Sequence, residues 1–427
     1  MQVNQVTVKN FRNYQSATLE LSPGRNILIG ENAQGKTNLL EAIEIISTGR
    51  SDRAASDREL IAVGANECLI ELVYAAKIMQ GMDETVSLTI SQKERLSRRV
   101  RINGLNQPAS ARVSGRFLSR LTTVSFKAQD LNLLRGGPKF RRDWLDELAL
   151  KIRPAHHELH SKYEKIVAQR NRLLKNFFEK GQLSVSDQDE LKVWDKQLSY
   201  YGALVIKSRV DALIAAIPES ENFHAGISGR REKLGCNYVF RQNQKDVEGH
   251  DSAGSSASTL EATAGGAVVS GDVAAHVLDV NEIHAMEVKD LALTIMRNLR
   301  ERRAEEIARR QTLTGPHRDD VSFDLNGMAA TAYASQGQQR SLVLALKLAE
   351  LKLVGDVLEE PPLLLLDDVL AELDLMRQGM LMQLVSEDMQ TLITTTHLSG
   401  FKAEWIEGAN IVEVVGGSLR PRLEAAY

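Results

Sequence analysis

Two cysteines, Cys68 and Cys236, are all that 427 residues contain. They offer neither a metal-ligand spacing nor a disulfide framework, which excludes a stapled secreted scaffold and suits a reducing compartment. Long apolar runs are also missing. Leu363–Leu366 is a strand-sized stretch, far short of the roughly 20 apolar residues of a membrane span. The opening lacks a signal-peptide layout because Gln2, Asn4, Gln5 and Thr7 interrupt any apolar run. These absences lead us to expect a cytoplasmic protein with no membrane partner. A length of 427 residues, 43% apolar and 26% charged, allows two or three domains around a large core.

Net charge is also small, only −3, but it is unevenly distributed. Ser91–Arg142 carries 13 Lys or Arg against two acids, a balance of +11 that leaves −14 for the rest. Arg95, Arg98, Arg99, Arg101, Arg112, Arg116, Arg120, Lys127, Arg135, Lys139, Arg141 and Arg142 are its obvious members. Such an excess is the footprint expected of a phosphate-backbone partner. The competing reading is a set of surface charges paired with acids from elsewhere.

Gly30-Glu31-Asn32-Ala33-Gln34-Gly35-Lys36-Thr37 has the form G-x-x-x-x-G-K-[ST]. It follows the apolar Asn26–Ile29 and precedes the helix-like Asn38–Ile43, the strand–loop–helix setting that a phosphate loop needs. Backbone N–H groups of such a loop close on phosphate oxygens, helped by the positive end of the helix. Lys36 is expected to reach the β- and γ-phosphates of ATP, and Thr37 to hold Mg²⁺. A Gly-rich surface turn is the competing reading.

Near the other end, the apolar run Pro361–Leu366 finishes in two carboxylates. Asp367, at the strand end, is suited to the Mg²⁺ shell, and Asp368 to polarising an attacking water. Ser335-Gln336-Gly337-Gln338-Gln339-Arg340 directly precedes a helix, Ser341–Leu353. Ser335, Gly337 and Gln338 would therefore line a second anion nest at a helix N-terminus.

Between these pieces the sequence predicts strands at Val3–Val8, Ala17–Leu21, Cys68–Tyr74 and Val86–Ile90, with a tight turn at Arg101–Gly104. Leu159, Tyr163, Ile166, Leu173 and Phe177 form a heptad-like seam interrupted by Arg170. The seam resumes at Leu191, Trp194, Leu198, Tyr201 and Val205, which implies two antiparallel helices joined across Glu179–Asp189. Gly249–Gly271 reads as a disordered surface loop, within a region of about 245–275. Glu282–Arg310 reads as one charged helix, with Arg297–Arg310 as a solvated face.

In order and spacing these pieces resemble the ABC-type ATPases of the SMC and Rad50 group. Lys9–Tyr14, Gly30–Thr37, Gly49–Ser51, Thr314–Asp320, Ser335–Arg340 and Leu365–Asp374 together resemble the bacterial RecF recombination-repair family. The resemblance spans both ends of the chain and is weakest over Glu179–Arg310. It implies an α/β ABC-type ATPase head with a mixed sheet and an inserted, mainly helical arm. The lobes would be residues 1–145 and 311–427, and the arm 146–310.

The resemblance further implies an ATP-dependent homodimer that binds double-stranded or gapped DNA. It would act with RecO- and RecR-type mediators to place RecA, with weak DNA-dependent hydrolysis. Gln129 would be the Q-loop glutamine beside metal and attacking water, Ala371–Asp374 the D-loop, and His397 the switch histidine. The chain departs from the family at Lys127–Asp130, where Pro-Glu-Asp is usual, and at Asp52, where His or an aromatic residue is common.

Other classes fit less well. Transporter subunits usually keep phosphate loop and signature about 100 residues apart, whereas Lys36 and Ser335 are separated by about 300. A nuclease with an ATPase head would need a further acidic metal-binding domain, which the sequence through Tyr427 does not show. A small-molecule kinase leaves the signature nest unexplained.

Overall fold

The computed structural model describes every residue except 78–81, 94, 108–120, 182–183, 241–275, 279, 371–372, 386–387, 400 and 422–427. The Gly249–Gly271 stretch, Arg112, Arg116, Arg120, Ala371 and Glu372 lie outside the described residues.

Strand Arg25–Ile29 lies inside a six-stranded sheet, and its last four residues are buried. Thr391–Thr395 runs parallel on one side of it, followed by Leu363–Asp367 and Thr123–Lys127, both parallel as well. Asn410–Val415 is parallel on the other side, and Ser418–Pro421 closes that edge antiparallel. Buried parallel strands need apolar side chains on both faces, which is why Leu363–Leu366 is unbroken.

A second six-stranded sheet is antiparallel, in the order Tyr14–Glu20, Gln2–Phe11, Glu67–Ala75, Glu84–Ser91, Ser97–Ile102 and Leu105–Asn106. Burial alternates along its central strands, so one face meets the core and the other meets solvent. Asn103 and Gly104 are both left-handed, φ 49° and 79°, the conformation that a tight hairpin requires. Helix Lys36–Thr48 packs Leu39, Leu40, Ile43 and Ile46 into one core with both sheets.

Helix Pro138–Ile152 runs through residue 145 and leads into helices Ala155–Lys180 and Val185–Ser228. The last two are antiparallel. Lys180 meets Asp187, Arg170 meets Asp195, and His156 meets Ser208. The expected seam is buried at Tyr163, Ile166, Leu173 and Phe177, and again at Leu191, Leu198 and Val205. Its interruption, Arg170, is fully buried and donates to Asp195, Thr312 and Glu306 at 2.9, 2.9 and 2.5 Å.

Two expectations are corrected here. Glu282–Arg310 is three helices, Val280–Ala285, Val288–Glu301 and Arg303–Arg309. Its charged end is not simply solvated, because Glu306 and Asn298 are buried and Glu306 receives Arg170.

Helix Gln336–Leu358 joins the insert to the parallel sheet. Leu342 and Leu346 pack with the insert, while Leu344, Ala345 and Leu348 pack with Val124, Leu364 and Ile393. Among the described residues no helix is long and apolar enough to cross a membrane.

Candidate nucleotide site

Four adjacent parallel strands end at one edge of the sheet, where open α/β folds bind ligands. Ile29 leads into the phosphate loop, Thr395 to His397, Asp367 to Asp368, and Lys127 to Gln129. Residues from both ends of the chain are thus brought to one rim.

The loop itself is tightly held. A side chain at Gly30 would place its Cβ 2.4 Å from the Val414 carbonyl oxygen, so none is tolerated. Ala33 and Gly35 are left-handed, φ 63° and 114°, turning the chain into helix Lys36–Thr48. Asn13 Nδ2 donates to the Gln34 carbonyl at 2.9 Å, and Tyr14 Oη donates to the Gly35 carbonyl at 3.0 Å. Burial raises the Tyr14 phenol and keeps it a donor. Gly416 N–H donates to Gln34 Oε1 at 2.6 Å, tying the loop to the last hairpin. Glu31, Asn32 and Ala33 are exposed on its outer side.

Lys36 is buried and curls over the loop, donating to the carbonyls of Gly30 and Glu31 at 2.7 and 2.9 Å. Thr37 Oγ1 donates to Asp367 Oδ1 at 2.8 Å, and Thr394 Oγ1 reaches the same oxygen at 2.8 Å. Asp368 adopts a left-handed φ of 55°, a costly conformation for a non-glycine residue. Its N–H is held by Thr394 Oγ1 at 3.0 Å.

Gln129 is exposed on the single turn Ala128–Leu131, just beyond Lys127, which is paired across the sheet with Asp367. Lys127 itself is spent on Glu44 and Asp52, at 2.6 and 3.2 Å. Burial opposes its charge, but the two carboxylates outweigh that and hold the ammonium above the ordinary lysine range. His397 is exposed, with Nδ1 2.8 Å from Thr396 Oγ1.

Ser335, Gly337 and Gln338 lie on a different element, at the start of helix Gln336–Leu358. Ser335 Oγ accepts from Gln338 N–H at 3.3 Å, and Ser335 N–H donates to Gln338 Oε1 at 2.7 Å, a capping box. Gly337 is exposed. Asp374 caps the next helix and, through Arg377, connects to Ser341.

The basic segment is less free than its composition suggests. Arg98 is committed to Asp57 and the Gly49 carbonyl, and Arg141 to Asp320 at 2.8 and 2.9 Å. Arg95, Arg99 and Arg101 remain exposed. Sequence reasoning missed Asn13, Tyr14 and Thr394 as parts of the site. The signal available for Thr394 was a pair of threonines, Thr394 and Thr395, at the end of a wholly buried strand.

Residues 2–413 match the family model for the RecF/RecN/SMC N terminal domain. A DNA replication and repair protein RecF from Synechococcus sp. (strain JA-3-3Ab) is 38% identical over 96% of both chains. The chain belongs to the RecF family. A RecF from Synechocystis sp. (strain ATCC 27184 / PCC 6803 / Kazusa) is also 38% identical, over 99% of this chain and 98% of that one. The solved structure of the recombination mediator protein RecF-ATP in the RecFOR pathway superposes with a TM-score of 0.80 at 27% identity. That match covers 99% of this chain and 97% of the other. The Smc head bound to a ScpA domain, at 13% identity and a TM-score of 0.50, shares the fold. RecF membership agrees with the α/β head, its helical insert and a role in DNA replication and repair.

Proposed function

We propose that this chain binds Mg²⁺–ATP at the sheet rim and closes into a homodimer around two nucleotides, each completed by the partner's signature nest. One observation carries the reading. Thr37 and Asp367 meet at 2.8 Å beside a phosphate loop, while the Ser335 cap stands at the start of another element, with Ser335 Oγ accepting from the Gln338 N–H. A hydroxyl and a carboxylate are hard oxygen donors suited to Mg²⁺, and the phosphates would supply the remaining oxygens. Mg²⁺, when bound, would offset phosphate charge.

In this reading Lys36 exchanges the carbonyls of Gly30 and Glu31 for phosphate oxygens. Asp368 holds the attacking water as general base, Gln129 orients it, and His397 reports the γ-phosphate. Residues 1–145 and 311–427 act as the two lobes of a head and 146–310 as its insert. The homodimer binds double-stranded or gapped DNA in the cytoplasm and works with RecO- and RecR-type mediators, with hydrolysis as a release timer. Ser335→Arg tests the dimer. ATP binding should persist while ATP-dependent dimerisation is lost in sedimentation, and full dimerisation would overturn the composite site.

A further inference from the structure

The signature cap is held from outside its own helix by a carboxylate that no sequence motif singles out. Gln338 Nε2 donates to Glu232 Oε1 at 2.8 Å. The other oxygen, Glu232 Oε2, lies 3.0 Å from Nε2 of His224, a fully buried side chain. Gly229 and Arg230, both left-handed with φ 63° and 59°, turn the chain back after helix Val185–Ser228 so that Glu232 returns beside His224. The next residue, Lys233, exchanges backbone and side-chain bonds with Asn326 at the hairpin before Met328, which braces the segment further.

We propose that Glu232 is a positioning residue for the nucleotide site, acting through Gln338 on the signature cap. A glutamine amide has two faces. Here the carboxylate selects Nε2, which leaves Oε1 to receive the Ser335 N–H at 2.7 Å. Ser335 Oγ is engaged as acceptor by Gln338 N–H, so its hydroxyl proton remains available. The first-turn N–H groups of helix Gln336–Leu358 have no carbonyl of their own to meet. The Ser335 hydroxyl and the N–H groups of Gln336 and Gly337 form a donor set for an anionic oxygen, held in one orientation before any phosphate arrives, while the Gln338 N–H is kept by the cap itself. His224 fixes Glu232 in turn. Its Nε2 faces the carboxylate, and its Nδ1 is buried without a hydrogen-bond partner, so among the described residues the only polar contact the ring makes is the one to Glu232. The inference rests on the composite-dimer reading above.

Glu232→Ala should leave ATP binding to Lys36 and Thr37 intact. It should weaken ATP-dependent dimerisation by roughly tenfold, the scale of one charge-assisted hydrogen bond. Glu232→Gln retains an acceptor for Gln338 and should recover most of that loss. Gln338→Ala should cost about as much as Glu232→Ala, and the double variant no more than either alone. The experiment is sedimentation of all four variants with Mg²⁺–ATP beside Ser335→Arg, with thermal melting to confirm folding. Additive losses in the double variant, or no rescue by Glu232→Gln in a folded protein, would overturn the role of Glu232. Undiminished dimerisation of Ser335→Arg would instead overturn the composite-dimer reading.

Discussion

Thr394 donates its hydroxyl to Asp367 Oδ1 at 2.8 Å and receives the Asp368 N–H on the same oxygen at 3.0 Å. One buried threonine therefore holds the carboxylate assigned to metal and the backbone of the residue assigned to water. Thr394→Val should remove both bonds at a cost of about 1–3 kcal/mol. The Mg²⁺ dependence of ATP binding should weaken, and hydrolysis should fall. ATP titration with and without Mg²⁺ checks this, and unchanged values in both would release Thr394 from the role.

The exposed arginines separate a DNA-binding role from a structural one. Reversing Arg95, Arg99 and Arg101 to Glu should reduce duplex affinity and flatten its salt dependence, by about 0.9 in slope for each phosphate no longer neutralised. Arg98→Glu should instead lower the melting temperature, because Arg98 is bound to Asp57 and the Gly49 carbonyl. Duplex titrations across salt, with melts alongside, distinguish the two. Equal DNA affinity after the triple reversal would move the DNA surface elsewhere.

His317 makes the Thr314–Asp320 segment sensitive to acid. Its Nε2 donates to the Thr312 carbonyl at 3.1 Å and its Nδ1 accepts from Tyr163 Oη at 2.6 Å, so the ring is neutral. Burial pushes it down to about 4, from 6.5 when unfolded. Its stabilising contribution is therefore complete above pH 6.5 and is lost as pH falls from there through 4. The full loss is on the order of 3 kcal/mol. Urea unfolding of the parent should weaken more steeply over that window than that of His317→Gln. Parallel pH profiles would show that folding does not lower the His317 pKa.

Asp368 stands where related ATPases commonly carry Glu, and the shorter side chain should make hydrolysis slow. Asp368→Asn should keep Mg²⁺–ATP and hold the dimer closed on DNA, whereas Lys36→Ala should lose nucleotide and never close. Single-turnover hydrolysis and DNA dissociation read both. A parental hydrolysis rate in Asp368→Asn would assign the base elsewhere.

The Gly30–Thr37 and Leu363–Asp368 parts of the candidate site were legible because phosphate chemistry constrains short contiguous stretches, and the fold brings these two together at Thr37 and Asp367. Strand order was not legible, since the pairing of Leu28 with Thr394 joins opposite ends of the chain. Helix Val185–Ser228 runs well past the seam that ended at Val205. There Ile206, Arg209, Ala212 and Ala216 are all buried, and a helix packed on several sides shows no single apolar stripe. Arg170 looked like a break in the seam because its partners Glu306 and Thr312 lie 136 and 142 residues away. Sequence distance also hid Glu232, whose partner Gln338 is 106 residues on.

The central claim is that each nucleotide is completed by a second copy of the chain. Lys36→Ala and Ser335→Arg should each be inactive in ATP hydrolysis when measured alone. In a heterodimer of the two, one site pairs both substitutions and the other pairs an intact Lys36 with an intact Ser335 of the opposite copy. Mixing the two variants should therefore restore hydrolysis, up to one working site per heterodimer. A mixture as inactive as its components would mean that Lys36 and Ser335 serve the same chain, and the composite site would be wrong.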